Sequence, residues 1–245
     1  MPETSISLSP LDETRFGFRT ARAFVQNLTD LPLIEEFCQK ENVEFLILRC
    51  ETDKIELVHA LEAKDFSLMN TLLYFRYLLS AENILPREKE TVFYIQPEDE
   101  VRIKKITQSA FADYRSHYHA DPRFDPRDCD EGYLDWAVRS CRKEIAGEVL
   151  VAKSNGQVKG FLTLRKNSSD EVEGPLFAVS PEAQGQGLGR NLIKAAFAWA
   201  YKEGAKEFII STQITNLASQ NLWVGLGMKL NRSLYTFHKW FDEEK

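Results

Sequence analysis

The sequence predicts a mixed α/β fold. Along most of its 245 residues, apolar strand-like runs alternate with stretches at helical spacing, and Asn155-Gly156 sits between two alternating runs as a tight hairpin turn. The third observation is the placing of glycine, since Gly17 is the only one of twelve before Gly132. The second half is therefore the half with tight turns or close backbone approaches.

The opening "MPETSISLSPLDETRFGF" has no basic start followed by an apolar core, so no export signal is expected. The apolar stretch "FSLMNTLLYF" is about half as long as a membrane span. Phe45 to Phe75 reads as strand, polar turn, amphipathic helix, break and alternating strand, and Phe208 to Phe237 repeats that order. Its simplest meaning is that the N-terminal half is a degenerate copy of the C-terminal strand-helix-strand unit. Between the halves, "AENILPREKETVFYIQPEDE" is charged and broken by Pro86 and Pro97, with a short strand "TVFYI" inside it. It puts a boundary near residue 88, giving domains at 1–88 and 89–245.

In the second half, "EDEVRIKKITQSAF" carries Val101, Ile103, Ile106 and Ala110 at helical spacing, with acids in its first turn to suit the helix dipole. "EGYLDWAVRSCRKEI" puts Leu134, Ala137, Val138 and Cys141 on one stripe in the same way. The hairpin about Asn155-Gly156 follows. Then come the strand "GPLFAV", a glycine turn, a helix to about Tyr201 stopped by Gly204, a strand, a helix and a last strand. The stripe "AAFAWA" is core, and Lys104-Lys105 and Arg142-Lys143 are solvated helix faces.

Hydrophobic residues make up 43%, enough for a real core, while a net charge of -6 and a pI near 5.4 argue against broad binding to nucleic acid or to an anionic membrane. A small anionic ligand stays open. Cys38, Cys50, Cys129 and Cys141 form no CxxC pair, and His117 and His119 have no cysteine partner at zinc-site spacing. Reduced thiols in a cytoplasmic protein, with no bound metal, are the expectation.

The stretch "VSPEAQGQGLGRNLIKAAFAWA" asks what its stripped backbone is for. A dinucleotide fold wants G-x-G-x-x-G after the first strand of a βαβ series, whereas this spacing is G-x-G-x-G after a hairpin. A Walker loop needs a G-K-[ST] ending, and here Gly189-Arg190-Asn191 stands. A purely structural turn is the plain alternative. Gln184-Gly185-Gln186-Gly187-Leu188-Gly189 fits Q-x-x-G-x-G between a strand and a helix, and resembles the acyl-CoA loop of the GCN5-related N-acetyltransferases, the GNAT family. "NLASQNLWVGLGMKL" is similar to another segment of that family.

The resemblance implies an acetyl-CoA-dependent N-acetyltransferase of the GNAT fold, preceded by the degenerate half domain. It implies that Gln184, Gly185, Gln186, Gly187, Leu188, Gly189 and Arg190 take the cofactor's pyrophosphate on backbone N–H groups. The backbone of Phe177, Ala178 and Val179 would hold the pantetheine arm and polarise the thioester, in a cleft where this strand splays from the next at a bulge. Asn216 and Leu222 would touch the cofactor, although Asn216 could equally just cap its helix. The tyrosine that commonly protonates the leaving thiolate should stand seven positions after Asn216, and that position is Trp223, whose indole donates a hydrogen bond but no proton. Trp223 could steady the thiolate while water protonates it, or Tyr235 or Tyr118 could do that work instead.

"FADYRSHYHADPRFDPRDCDEGYLDWAVRS" and the leading "SPLDETRFGF" narrow the resemblance to a branch that acylates the 4-amino group of dTDP-linked deoxysugars. On the loop "HYHADPRF", His117 or His119 could take the amine proton, Arg115 or Arg123 could bind the nucleotide's pyrophosphate, and Tyr118 could line the acceptor site. Each is otherwise an ordinary loop residue. A peptide N-terminus or a small-metabolite amine is the rival acceptor, a CoA-binding module without catalysis is the rival class, and a homodimer is left open.

Overall fold

A computed structural model of the chain describes residues 3–84 and 91–241, so the expected boundary near residue 88 lies outside the described residues. In chain order the elements are β1 (Ser5–Leu8), α1 (Pro10–Phe16), β2 (Thr20–Phe24), α2 (Leu31–Lys40), β3 (Phe45–Glu51), α3 (Ile55–Glu62), β4 (Ser67–Leu78), β5 (Val92–Tyr94), α4 (Glu100–Ala110), α5 (His117–Ala120), α6 (Pro126–Cys141), β6 (Glu148–Ser154), β7 (Gln157–Lys166), β8 (Glu171–Glu173), β9 (Phe177–Val179), α7 (Leu188–Lys202), β10 (Glu207–Gln213), α8 (Leu217–Val224) and β11 (Lys229–Trp240). The order is mixed α/β, and both expected strand-helix-strand runs are present as β3-α3-β4 and β10-α8-β11. The sequence gives no expectation for β1, α1, β2 and α2. Their signals are local nonetheless: Pro10 with Asp12 and Glu13 opens α1, left-handed Gly17 closes it, and Pro32 opens α2.

By contact the chain divides into two compact units that do not follow chain order. The first gathers Met1–Leu73, Arg115–Cys129 and Arg232–Lys245. Its strands run β1-β2-β3-β11, with β1 antiparallel to β2, β2 parallel to β3, and β3 antiparallel to β11 from Phe45 opposite Trp240 to Glu51 opposite Leu234. Alternation along β3 sends Leu46, Leu48 and Cys50 into a core with Ile34, Cys38, Leu57, Leu61 and Phe237. Phe45 and Ile47 point the other way, into a second cluster with Phe16, Phe18, Tyr118, Phe124 and Trp240. The C-terminal strand joins the N-terminal unit because Phe237 is fully buried in that first core.

The second unit holds Tyr74–Tyr114 and Asp130–Asn231, so β4 and β11 each lend residues to both units. Its strand order is β4-β10-β8-β7-β6-β5, with β9 also on β7. The β6–β7 turn is Asn155 and Gly156 at φ 51° and 74°, the two positive values that a two-residue hairpin of this hand needs. One face is covered by α4 and α6, through Ile103, Ile106 and Ala137 on Val149, Val151 and Phe161. On α4, Val101 does not join the expected stripe: it is 60% exposed and the buried side is Ile103, Ile106 and Thr107. Helix α7 buries Leu192, Ile193, Ala195, Ala196, Phe197 and Ala200. It ends as the sequence predicts, with Gly204 left-handed and Ala205 N–H bonded back to Ala200 O.

Candidate active site

Strand β8 runs parallel to β10 only from Glu171 opposite Glu207 to Glu173 opposite Ile209. Gly174 N–H still reaches Ile209 O at 2.9 Å, and Pro175 then offers no donor with which to continue the ladder. Gly174 has to be glycine, because a Cβ there would stand 2.8 Å from Cζ of Phe208. Past this step β9 pairs with β7. The two strands therefore part at a Gly-Pro step, and the expected bulge is there: two residues of β7, Thr163 and Leu164, stand against Gly174, Pro175 and Leu176 as the ladder passes from Arg165 opposite Glu173 to Leu162 opposite Phe177. A second register shift lies on the other side of β7, between Ala152 and Lys153 of β6.

Which groups of β9 face the parting follows from its ladder. Thr163 N–H donates to Leu176 O at 2.9 Å and Ser180 N–H to Lys159 O at 2.8 Å. Alternation then turns the N–H and C=O of Phe177 and Val179 away from β7. The Val179 carbonyl instead accepts from Gln184 Nε2 at 3.4 Å.

The glycine loop leads from β9 into α7. Gly185 and Gly187 are left-handed, at φ 75° and 81°, and a Cβ on either would meet nothing within 4 Å, so the space before them is open. Gly189 is different: a Cβ would lie 3.1 Å from Phe177 and 3.3 Å from Leu222, so its bareness lets α7 close on β9 and α8. The first-turn N–H groups of α7 have no partner within the helix, its first turn carries no acid, and Arg190 adds a positive charge there while bonding Gly225 O at 3.5 Å. A phosphate-bearing cofactor fits these residues: open left-handed glycines, free helix-start donors and no carboxylate to repel it.

At the far end of β10, Asn216 caps α8 by accepting from Ser219 N–H at 3.2 Å and donates to Thr212 Oγ1 at 2.9 Å. Tyr114, which the sequence does not single out, bonds to Thr212 and Gln213 from the loop after α4, and burial raises its phenol above the ordinary value. Trp223 is 2% exposed, stands edge-on to Phe75 at 5.4 Å, and its Nε1 has no hydrogen-bond partner among the described residues.

The sequence-predicted acceptor residues belong to the first unit. The segment "HYHADPRF" opens with the short helix α5, and His117 and Tyr118 are buried in it. Tyr118 donates to Asp12 at 2.7 Å and accepts from Arg22, which is paired to the same carboxylate. Burial works to raise the Asp12 carboxyl, but Arg22, Ser9 and Tyr118 outweigh it and hold it low. Asp121 Oδ2 bonds His238 Nδ1 at 2.8 Å, and His238 Nε2 bonds His117 Nδ1 at 2.8 Å. The carboxylate fixes both tautomers: His238 gives its Nδ1 proton to Asp121, accepts at Nε2 from His117, and leaves His117 with its lone pair on Nε2. Burial, then neighbouring His238, Arg49 and Arg22, push His117 well below the ordinary histidine value, so it is neutral at pH 7.

The other residues lie apart from this chain of bonds. His119 Nδ1 accepts from Ser116 N–H at 3.2 Å. Arg115 is exposed, and exposed Arg123 lies 4.8 Å over the Trp240 ring. Tyr235 packs against the core beneath Leu48 and Phe237, the face opposite to His238. No sequence pattern joins His238 or Asp121 to His117, since they meet only through the sheet.

All four cysteines are free thiols, and among the described residues no group of three or more His, Cys, Asp or Glu could hold a metal. No helix among them is long and apolar enough to cross a membrane.

The model of the acetyltransferase (GNAT) family matches residues 104–228, just over half of the chain. The chain is 22% identical over 236 residues to "dTDP-fucosamine acetyltransferase" of Escherichia coli, covering 95% of this chain and 98% of that protein. It is 23% identical over 212 residues to "Spore coat polysaccharide biosynthesis protein SpsD" of Bacillus subtilis, covering 84% and 70%. Among solved structures, a GCN5-related N-acetyltransferase from Sphaerobacter thermophilus is similar with a TM-score of 0.63 at 12% identity, covering 99% of this chain and 78% of that one.

Proposed function

The chain belongs to the GNAT family of acetyltransferases, and from that premise we propose that it acetylates the amino group of a dTDP-linked 4-amino-4,6-dideoxyhexose. The observation that carries acetyl transfer is the parting of β9 from β10 beside an open glycine loop. The acceptor is supported by the likeness to a dTDP-fucosamine acetyltransferase, which extends over the first unit as well as the second.

Acetyl-CoA, the family's co-substrate, supplies an activated acetyl group as a thioester. In this reading, N–H groups from Gly187 to Arg190 bind its pyrophosphate, and the outward N–H groups of Phe177 and Val179 hold the pantetheine arm and the thioester oxygen. His117, with its Nε2 lone pair free, is the base carried from the sequence; because its basicity is lowered it accepts the amine's proton only in passing, as the amine attacks, and releases it to water. Tyr118 is not the acid for the leaving sulfur, because its proton is given to Asp12. Trp223 offers at most a hydrogen bond, Tyr235 packs in a core, and water protonates the sulfur. Losing a positioned acid costs about a hundredfold or more in ordinary cases. A weakly basic thiolate leaving group keeps that cost tolerable. Arg115, His119 and Arg123 are the acceptor contacts carried from the sequence, and the cytoplasm is the proposed compartment.

The test is to give purified protein acetyl-CoA and a panel of nucleotide-linked amino sugars, free amino sugars and peptides, and to read free thiol. Release with a dTDP-linked 4-amino sugar, well above that with the others, is the expected outcome. Preference for a peptide N-terminus or a cationic amine would overturn the acceptor. Buried Trp223 favours one rival, a module that binds CoA without turnover: tight acetyl-CoA binding with no thiol release from any amine would establish it.

A further inference from the structure

Three polar side chains of the first unit are buried at atoms with no hydrogen-bond partner among the described residues: Arg49 at Nε, Thr236 at Oγ1, and Asn70 at both ends of its amide. Buried polar atoms are rarely left so. Arg49 on β3 and Thr236 on β11 are Cα partners, so their side chains leave the same face of the sheet. Two residues along β11, that face carries His238 with its bonds to Asp121 and His117. Asn70 lies on β4, the strand next to β11.

The charges around this face show what is missing. Arg22 is neutralised by Asp12, and His238 is bonded to Asp121. His117 is neutral, and both histidines feel Arg49 and Arg22 as repelling neighbours. Arg49 is half-buried and has no ion pair among the described residues. A guanidinium drawn in from water is costly unless an anion meets it. The three groups share one chemistry, since guanidinium, hydroxyl and amide nitrogen can all donate to a ligand that only accepts.

We infer that Arg49, Thr236 and Asn70 form the subsite for the phosphate oxygens of the acceptor nucleotide, with the Arg49 fork taking two of them. This rests on the sugar-nucleotide reading above. It assigns the phosphates to a residue that the sequence does not mark, in place of Arg123, which already lies over Trp240 about 13 Å further along β11 at the usual rise per strand residue. A bidentate arginine-phosphate pair is both strong and specific in geometry, so lysine is a poor substitute.

The experiment is calorimetric titration of dTDP and of inorganic pyrophosphate into the full chain and into Arg49→Met, Arg49→Lys, Thr236→Val and Arg123→Ala, with melting curves and steady-state kinetics. Arg49→Met should weaken dTDP at least tenfold and raise the acceptor's KM equally, with KM for acetyl-CoA unchanged. Its melting temperature without ligand should hold or rise, because an unneutralised charge has been removed. Arg49→Lys, which keeps the charge if the methionine variant fails to fold, should still lose severalfold, and Thr236→Val somewhat less. Wild-type affinity in both Arg49 variants, or a loss confined to Arg123→Ala, would overturn the subsite and leave the acceptor reading standing. Failure of the wild type to bind either dTDP or pyrophosphate would overturn both.

Discussion

Gly187 answers two demands with one missing side chain. Its φ of 81° is left-handed and the space before it is open, so any other residue is strained there without touching a neighbour. Gly187→Ala should therefore lower stability by about 1–2 kcal/mol, the usual cost of a left-handed L-residue, and weaken acetyl-CoA binding more than tenfold. Denaturant titration and calorimetry check the two parts. Trp223 sets the second residue-scale expectation. Trp223→Tyr supplies the phenol usual in the family but leaves a cavity against Phe75, so the melting temperature should fall by a few degrees. Thiol release should hold or rise if the phenol reaches the sulfur. Release that falls further than folding explains would show that the indole N–H itself serves the reaction.

Between elements, the bonds from Asp121 on through His238 to His117 tie the α5 segment to β11 and make stability depend on pH. Both histidines are held below 6.5, His117 by burial first and His238 by burial against the pull of Asp121. Below pH 6.5 the unfolded chain takes up protons that the folded chain refuses, so stability is full above that pH and falls as the pH drops toward the depressed folded values. The melting temperature should decline from pH 7 to 5, and less steeply in His117→Gln. Equal slopes would mean that His117 titrates normally. Asp12 and Asp121, both held below 3.8, add a further loss as the pH falls through their lower folded values. The same scale explains where β9 leaves β10: Gly174 and Pro175 end one ladder and free an edge, and both residues stand plainly in the sequence. Their effect does not, because it depends on Phe208 of β10 occupying the place of a Cβ.

For the whole molecule, the N-terminal unit is closed by the C-terminal strand. A chain ending at Asn231 loses the pairing of β3 with β11 and the fully buried Phe237, so it should melt without a cooperative transition. A sharp melt of that shortened chain would show that the N-terminal unit stands without β11. The sequence by itself determined the mixed α/β class, the hairpin at Asn155-Gly156, both strand-helix-strand runs, and the glycine loop with its helix. Each of these is local: sterics about φ, the missing N–H partners of a helix start, and apolar periodicity all act within about a dozen residues. Tertiary structure alone decided that β11 lies on β3, that His117 meets His238 across 121 positions of chain, and that Arg49 faces them without a counter-charge among the described residues. Those depend on which strands burial brings together and in what register, and a residue's own neighbours in sequence carry no record of either.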